Sequence, residues 1–233
     1  IGSLIVVNKI TFLAGGIAHS SYGGIGLAIY LGLPILFGAT VFAIITAVVI
    51  AMLTLKNRNR ADSVIGLMWA FGMALGIIFV DITPGYNVDL MSYLFGSIIA
   101  VSSGDVLDIF IISIVMIFYK QILAVSYDSE FASLRGINTK FFYTLILILA
   151  SLCVVAAIKA VGLILVIALL TIPTYLAESF ASRLSTMMIL SSALATLFTI
   201  IGLAISYYYD ISSGASIIIS AVVILTIVKL LKK

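Results

Sequence analysis

One histidine stands alone in the first long apolar part of the chain. His19 is the only imidazole among 233 residues and interrupts an otherwise uncharged stretch from Ile10 to Leu55. A neutral imidazole nitrogen binds divalent metal ions, and an ionisable group inside an apolar segment is by default a candidate for function. Alternatively, His19, set among glycine and serine, only hydrogen-bonds a neighbouring helix. The residues alone leave both interpretations open.

The carboxylates that could join His19 lie near the ends of apolar segments. Asp89 directly precedes the apolar stretch Leu90 to Ser103, where it could either meet a cation arriving from outside or cap a helix. No pair of acid and base groups is placed together within a segment, which disfavours an intramembrane enzyme. The single cysteine, Cys153, excludes an internal disulfide and a cysteine-based metal cluster.

The composition requires a lipid environment for most of the chain. Hydrophobic residues make up 64% of it and charged residues only 9%, against about 25% in an average soluble domain. With a mean hydropathy of +1.35, the chain lacks the charge to cover a water-facing surface. A soluble globule is therefore excluded. No long basic run is present that could bind a nucleic acid by its phosphates.

The fold class that follows is an all-α membrane protein, a polytopic helical bundle forming one domain over residues 1–233. Pro34 divides the first long apolar stretch into two helices. We predict eight full spans, which lie near residues 13–31, 34–55, 63–80, 109–119, 141–158, 160–177, 184–209 and 211–228. Residues 109–119 reach spanning length only if Asp105 and Asp108 lie in the headgroup layer. Ile1 to Val7, ending at Lys9, reads as the inner end of a truncated first span.

Two further features complete the topology. Leu90 to Ser103 is too short to cross and return, so we predict a short external helix near residues 90–103 that dips into the membrane beside protein or water. The alternative is a helix lying flat at the interface. The alternation of spans places eleven of the twelve lysines and arginines on one side, with only Lys159 opposite. Because cytoplasmic loops retain these residues, the C-terminus is predicted to be cytoplasmic.

The longest cytoplasmic connection contains a predicted short helix near residues 126–138. Asp128 and Glu130 favour its first turn, and Gly136 can end it in the left-handed conformation. Phe131, Leu134 and Ile137 would give this helix an apolar stripe. Such a stripe either contacts a partner protein or rests on the protein's own membrane domain, and composition does not separate the two.

Four stretches together resemble one family, the permease subunits of bacterial and archaeal ABC importers for zinc, manganese and iron. They are Phe12 to Ser20, Val88 to Gly96, the loop Asp128 to Gly136, and Val161-Gly162 with Leu170 to Pro173. The first includes an alanine-histidine pair, and the second includes an aspartate and a Phe-Gly pair. The chain departs from the family at Gly15 and Ser97, where acidic residues are usual.

The resemblance implies a homodimeric permease with nine spans per subunit in a prokaryotic plasma membrane, facing an extracytoplasmic binding protein that carries the metal. His19 and Asp89 would contact the metal in transit. A separate ATPase subunit would use ATP and contact the cytoplasmic helix, at Asp128, Glu130, Phe131, Ala132, Leu134, Gly136 and Ile137. The chain has no Walker-type loop of its own, so it is expected to be a transport subunit without a bound cofactor. The alternatives are a permease for a metal chelate or other small solute, and a secondary carrier.

Overall fold

The computed structural model describes residues 1–55, 57–83 and 106–231, and in these ranges it is entirely helical, with eleven α-helices, one 3₁₀ turn and no β-strand. The helices are α1 Gly2–Val7, α2 Phe12–Leu31, α3 Ile35–Thr54, α4 Ala61–Asp81, α5 Val106–Ile117, α6 Tyr119–Tyr127, α7 Ser129–Leu134, α8 Thr139–Val161, α9 Leu163–Glu178, α10 Leu184–Tyr209 and α11 Ser213–Leu231. The 3₁₀ turn spans Arg58–Arg60. The predicted dipping helix and Asp89 lie outside the described residues.

Five of these helices are long and apolar enough to cross a membrane, and α9 is a shorter apolar helix. The five are α3, α4, α8, α10 and α11. Their outward faces expose large apolar side chains such as Met52, Leu67 and Ile189, which in water would be unfavourable and in lipid are not. The prediction of a polytopic helical membrane protein is confirmed at this level.

Helix α2 lies at the centre of the bundle, in contact with α3, α4, α8 and α9. Its 20 residues would span about 30 Å, but glycine, serine and histidine lower its hydropathy, and it is not among the five strongly apolar helices. Most of its side chains are buried against protein. Small residues allow neighbouring backbones to approach, so the composition that lowers its hydropathy also suits a central position.

Proline and glycine lie at several of the helix ends. Pro34 directly precedes α3, and Gly32 ends α2 with a φ of +67°, a conformation that disfavours other residues. Between α8 and α9 a single residue, Gly162, turns the chain with a φ of +78° and a ψ of 166°. The break at Pro34 confirms the predicted separation of α2 and α3. The break predicted at Lys159, between residues 158 and 160, is wrong by a few residues, because α8 continues through Lys159 to Val161 and the chain turns at Gly162.

The predicted span at residues 109–119 is followed by a second helix, where the sequence predicted that a long connection would begin at Lys120. Helix α5 ends at Ile117, and after Phe118 the chain continues as α6 to Tyr127. The break is slight because the Phe118 N–H bonds to Ile114 O at 3.0 Å and the Ile122 N–H bonds to Phe118 O at 2.9 Å. Ile122 and Val125 are fully buried, so α6 stays on the bundle instead of leaving it as a loop.

Candidate functional site

The site around His19 depends on unusually close packing between α2 and α4. A Cβ added at Gly72 of α4 would lie 2.5 Å from Ser20 Cα, and one at Gly76 would meet the backbone of Tyr22. Only glycine fits at such a contact between backbones. The two helices are therefore held in one register along their length, and this register decides which side chains of α4 meet His19.

That register places the single tryptophan of the chain against the single histidine. The rings of His19 and Trp69 stack with their centroids 4.0 Å apart and an interplanar angle of 23°. The indole Nε1–H of Trp69 donates a hydrogen bond to Met73 Sδ at 3.2 Å, one turn along α4. His19 is half-buried. Both rings are thus fixed by contacts from their neighbours.

The backbone of α2 decides which nitrogen of His19 is available. His19 Nδ1 lies 2.9 Å from Gly15 O. A carbonyl oxygen can only accept, so Nδ1 carries the proton and donates it, and the lone pair of the neutral imidazole is on Nε2. Among the described residues, no hydrogen bond to Nε2 is formed. The hydrogen bond of His19 is therefore made within its own helix, whereas its contact with the neighbouring helix is the stack on Trp69.

The described residues do not form a resident metal centre. No group of three or more His, Cys, Asp and Glu side chains there could hold an ion. A Cβ added at Gly15 would lie 3.4 Å from Ile167 Cδ1 and 3.6 Å from Trp69 Cζ3, so a methyl group would fit at this position in ordinary contact. What His19 offers is one nitrogen donor, which suits brief contact with a passing cation better than storage.

A second candidate site is the short helix α7, Ser129–Leu134, which lies within the helix predicted near residues 126–138 and has the predicted N-terminal cap. The Asp128 side chain caps its N-terminus by accepting a hydrogen bond from the Phe131 N–H at 2.9 Å. Gly136 has a φ of +77°, the left-handed conformation expected beyond the helix end. Phe131 is 48% exposed and Leu134 is 88% exposed. The Arg135 guanidinium lies 4.8 Å from the centre of the Phe131 ring.

The predicted stripe of α7 does not form one continuous exposed surface. Ile137 is only half-buried and packs against the hydrophobic core, while Ala132 is completely buried. Asp128, Glu130 and Gly136 are exposed. The seven residues expected to contact a partner therefore divide into two groups: Ala132 and Ile137 attach the helix to its own bundle, and the other five are open to a partner.

Comparison with known proteins identifies the family to which this arrangement of helices belongs. The model of the ABC 3 transport family matches residues 1–232. The chain belongs to the ABC 3 transport family. An uncharacterized membrane protein of Synechocystis is 42% identical over 226 residues, covering 95% of this chain and 80% of that protein. The manganese transport system membrane protein MntC of Listeria monocytogenes is 34% identical over 229 residues, covering 96% and 81%.

A solved structure supports the fold of this ABC 3 family member. PsaBC from Streptococcus pneumoniae, determined in complex with a Fab, superposes with a TM-score of 0.80 at 31% sequence identity. The likeness covers 97% of this chain and 83% of that one. The similarity therefore extends over nearly the whole chain.

Sequence reasoning missed Trp69 and a polar connection at the end of the bundle near α7. The Arg58 guanidinium lies 4.3 Å from the centre of the Tyr143 ring and donates from Nη1 to Val125 O at 3.4 Å. The Tyr143 and Thr54 hydroxyl oxygens are 3.1 Å apart in the protein interior. Burial lowers the pKa of the Arg58 guanidinium, and Tyr143 opposes this shift.

A signal for the Trp69 contact was present in the sequence. Gly72 and Gly76 form a G-x-x-x-G pair, the spacing at which membrane helices pack closely, and it follows Trp69 on the same helix. Arg58 gave no comparable signal. Its position in the sequence indicates a loop, and only the fold shows that the loop lies over Tyr143.

Proposed function

We propose that this chain is the membrane permease subunit of an ATP-binding cassette importer for divalent metal ions of the zinc, manganese and iron class, with manganese the first candidate. The observation that carries this proposal is the likeness to a protein named for manganese transport, which extends over 96% of the chain. The chain would form the pathway through the plasma membrane. ATP would be hydrolysed in a separate subunit.

His19 is the proposed contact for the metal in transit. Its lone pair lies on Nε2, and Gly15 O holds the other nitrogen. A neutral imidazole nitrogen suits iron and zinc ions, and a carboxylate from Asp89 at the outer mouth would suit manganese. A site with few ligands also releases its ion readily, as a pathway must. The two residues would therefore act in sequence, Asp89 at entry and His19 deeper in the pathway.

The proposed topology has eight spans: α2, α3, α4, α5 with α6, α8, α9, α10 and α11. Three hydrogen bonds support it, because each joins residues predicted to lie at cytoplasmic ends. Asn8 Nδ2 donates to Ser126 Oγ at 2.9 Å, Arg58 to Val125 O at 3.4 Å, and Lys229 Nζ to Ser179 Oγ at 2.7 Å. The C-terminus is then cytoplasmic, and the whole chain is one transmembrane domain.

The proposed partners follow from the two faces of this topology. On the cytoplasmic face, a separate ATPase subunit would bind the exposed side of α7, where Phe131 and Leu134 lie. On the outer face, an extracytoplasmic binding protein would deliver the metal. A second copy of the chain would complete the transporter. Family membership and the exposed apolar side chains of α7 support these assignments.

The experiment that tests the function is uptake by the reconstituted complex of this chain with its ATPase and binding protein. Proteoliposomes are supplied in turn with Mn²⁺, Zn²⁺, Fe²⁺ and a chelated metal, and ATP-dependent accumulation is measured. We expect uptake of at least one free ion and a loss of about tenfold or more in His19→Ala, because the variant removes the nitrogen donor.

Two results would contradict the proposal at different points. Accumulation of the chelate alone would replace free ions by a chelate as the substrate. Unchanged uptake of every ion by His19→Ala would remove His19 from the pathway. Ser212→Ala, an exposed change in the turn between α10 and α11, serves as the matched control and is expected to transport as the parent does.

A further inference from the structure

We infer that Trp69 is a positioning residue for metal transfer, which holds the imidazole of His19 so that Nε2 faces the passing ion. This inference rests on the proposed function, because it concerns the same contact. Its basis is separate: the stack at 4.0 Å between the only tryptophan and the only histidine of the chain. Trp69 is proposed to act through His19 and not to bind the ion itself.

The stack supplies an orientation that the hydrogen bond alone does not. A single bond from Nδ1 to Gly15 O leaves the ring free to rotate away whenever that bond breaks. A parallel indole on one face opposes this rotation, since turning the ring would lose the contact between the two π-systems. Metal-binding histidines in proteins are commonly oriented by such outer contacts, whose loss lowers affinity about 10–100-fold.

Trp69 is itself held in place from two directions. Its Nε1–H bonds to Met73 Sδ at 3.2 Å, and its Cζ3 edge lies beside Gly15, where an added Cβ would be 3.6 Å away. The glycine contacts between α2 and α4 fix the distance between the two backbones. The indole is thus a rigid support for the imidazole.

Because Gly15 has no side chain, the contact with Trp69 matters more for the orientation of the His19 imidazole. Residues four apart share a face of a helix, so position 15 is where α2 would supply a second group beside His19. It supplies none, and the neighbouring space is bordered by Trp69 and Ile167. Within the described part of the chain, His19 therefore depends on Trp69 and on a backbone carbonyl for its orientation.

The test compares three variants in the same uptake assay. Trp69→Phe keeps an aromatic ring, and we expect its half-saturating metal concentration to stay within about threefold of the parent. Trp69→Leu keeps bulk without a ring, and we expect this concentration to rise about tenfold. In the His19→Ala background, Trp69→Leu should have no further effect, because the two residues act as one unit. Retention of the ATPase confirms assembly of each variant.

A spectroscopic readout tests the metal contact at His19 independently of transport. Trp69 is the only tryptophan, so the tryptophan emission of the purified full chain in detergent micelles comes from this contact alone. Saturable quenching by Co²⁺ is expected in the parent chain and in Ser212→Ala. It should be lost in His19→Ala, which removes the imidazole but keeps the fluorophore.

The outcomes distinguish the inference from the function on which it rests. The positioning role of Trp69 is overturned if His19→Ala lowers uptake but Trp69→Leu does not. It is also overturned if Trp69→Leu has its full effect in the His19→Ala background. In both cases the proposed importer function is unaffected. If His19→Ala changes neither uptake nor quenching, the metal contact itself is overturned. Parallel loss in His19→Ala and Trp69→Leu, with recovery in Trp69→Phe, supports the inference.

Discussion

His19 illustrates how its immediate surroundings set the chemistry of one residue. The carbonyl of Gly15 accepts a hydrogen bond from Nδ1–H, which leaves the lone pair on Nε2, and Trp69 covers one face of the ring. The sequence marks His19 as unusual because it is ionisable within an apolar stretch. It does not reveal the tautomer or the stack, since both depend on neighbours that only the folded chain brings together.

Leu134 is 88% exposed on α7, so its substitution tests the proposed contact with the ATPase directly. Leu134→Glu should release the ATPase subunit, since a carboxylate buried in an apolar contact is strongly unfavourable. A loss of about tenfold or more in ATPase co-purified per permease is expected, with the permease still in the membrane.

Leu134→Met is the matched control, as it keeps an apolar side chain of similar volume. It should retain the ATPase. Full retention by Leu134→Glu would show that the ATPase does not bind at this exposed side of α7.

At the scale of the helices, α2 and α4 show what small residues accomplish. Their glycines bring backbone against backbone, and the aromatic rings next to these contacts are thereby fixed in register. By contrast, α3, α10 and α11 are long and strongly apolar, and their outer faces are suited to lipid. Hydropathy therefore identifies the outer helices readily and gives little information about α2.

Gly72 and Gly66 provide a matched pair for testing the α2–α4 contact. Gly72→Ala would place a methyl group 2.5 Å from Ser20 Cα, whereas one at Gly66 would meet nothing within 4 Å. We expect Gly72→Ala to lower the free energy of unfolding by about 1–3 kcal/mol. Gly66→Ala should be neutral or slightly stabilising, as expected for a glycine-to-alanine change within a helix.

The measurement is unfolding of the purified chain by SDS in mixed micelles, followed by far-UV circular dichroism. Equal midpoints for the two variants would contradict the backbone contact described here. The fluorescence of Trp69 should shift in Gly72→Ala only, because the register that places the indole on His19 is disturbed.

Helix breaks were the most predictable part of the fold. Pro34 and Gly136 act through their own backbone preferences, which can be read from the sequence. The break at Phe118 was not predictable, because phenylalanine has no such preference. Helix α6 is held in place because its own Ile122 and Val125 are buried against distant parts of the chain. Trp69 was missed for a similar reason: its partner is 50 positions away in the chain, and pattern reading within one helix does not pair helices.

For the molecule as a whole, the strongest regularity is the separation of charge. Positively charged side chains are predicted at one end of the bundle, and contacts there join distant parts of the chain, as between Asn8 and Ser126. At the other end of α10, Tyr207, Tyr208 and Tyr209 are exposed together, as expected for aromatic residues at a membrane interface. Composition and the distribution of charge thus predict the membrane class and an orientation, whereas the packing order of the helices required the structure.

Orientation is tested by labelling introduced cysteines with a membrane-impermeant maleimide. With Cys153 replaced by alanine, Ser212→Cys should react in intact cells, because it is exposed in the turn predicted to lie outside. Ser133→Cys, exposed on α7, should react only after the membrane is permeabilised. Reaction of Ser133→Cys in intact cells would place α7 on the outer face and contradict the assignment of an ATPase there.

The glycine contacts between α2 and α4 also limit how the transporter can move. At Gly72 and Gly76, α4 has no side chain toward the backbone of α2, so the two helices have little freedom to slide past each other at these contacts. During alternating access these helices would shift together as a rigid body, with the stacked rings of His19 and Trp69 carried along unchanged. The hinges that open the pathway must then lie elsewhere, where side chains separate one helix from the next.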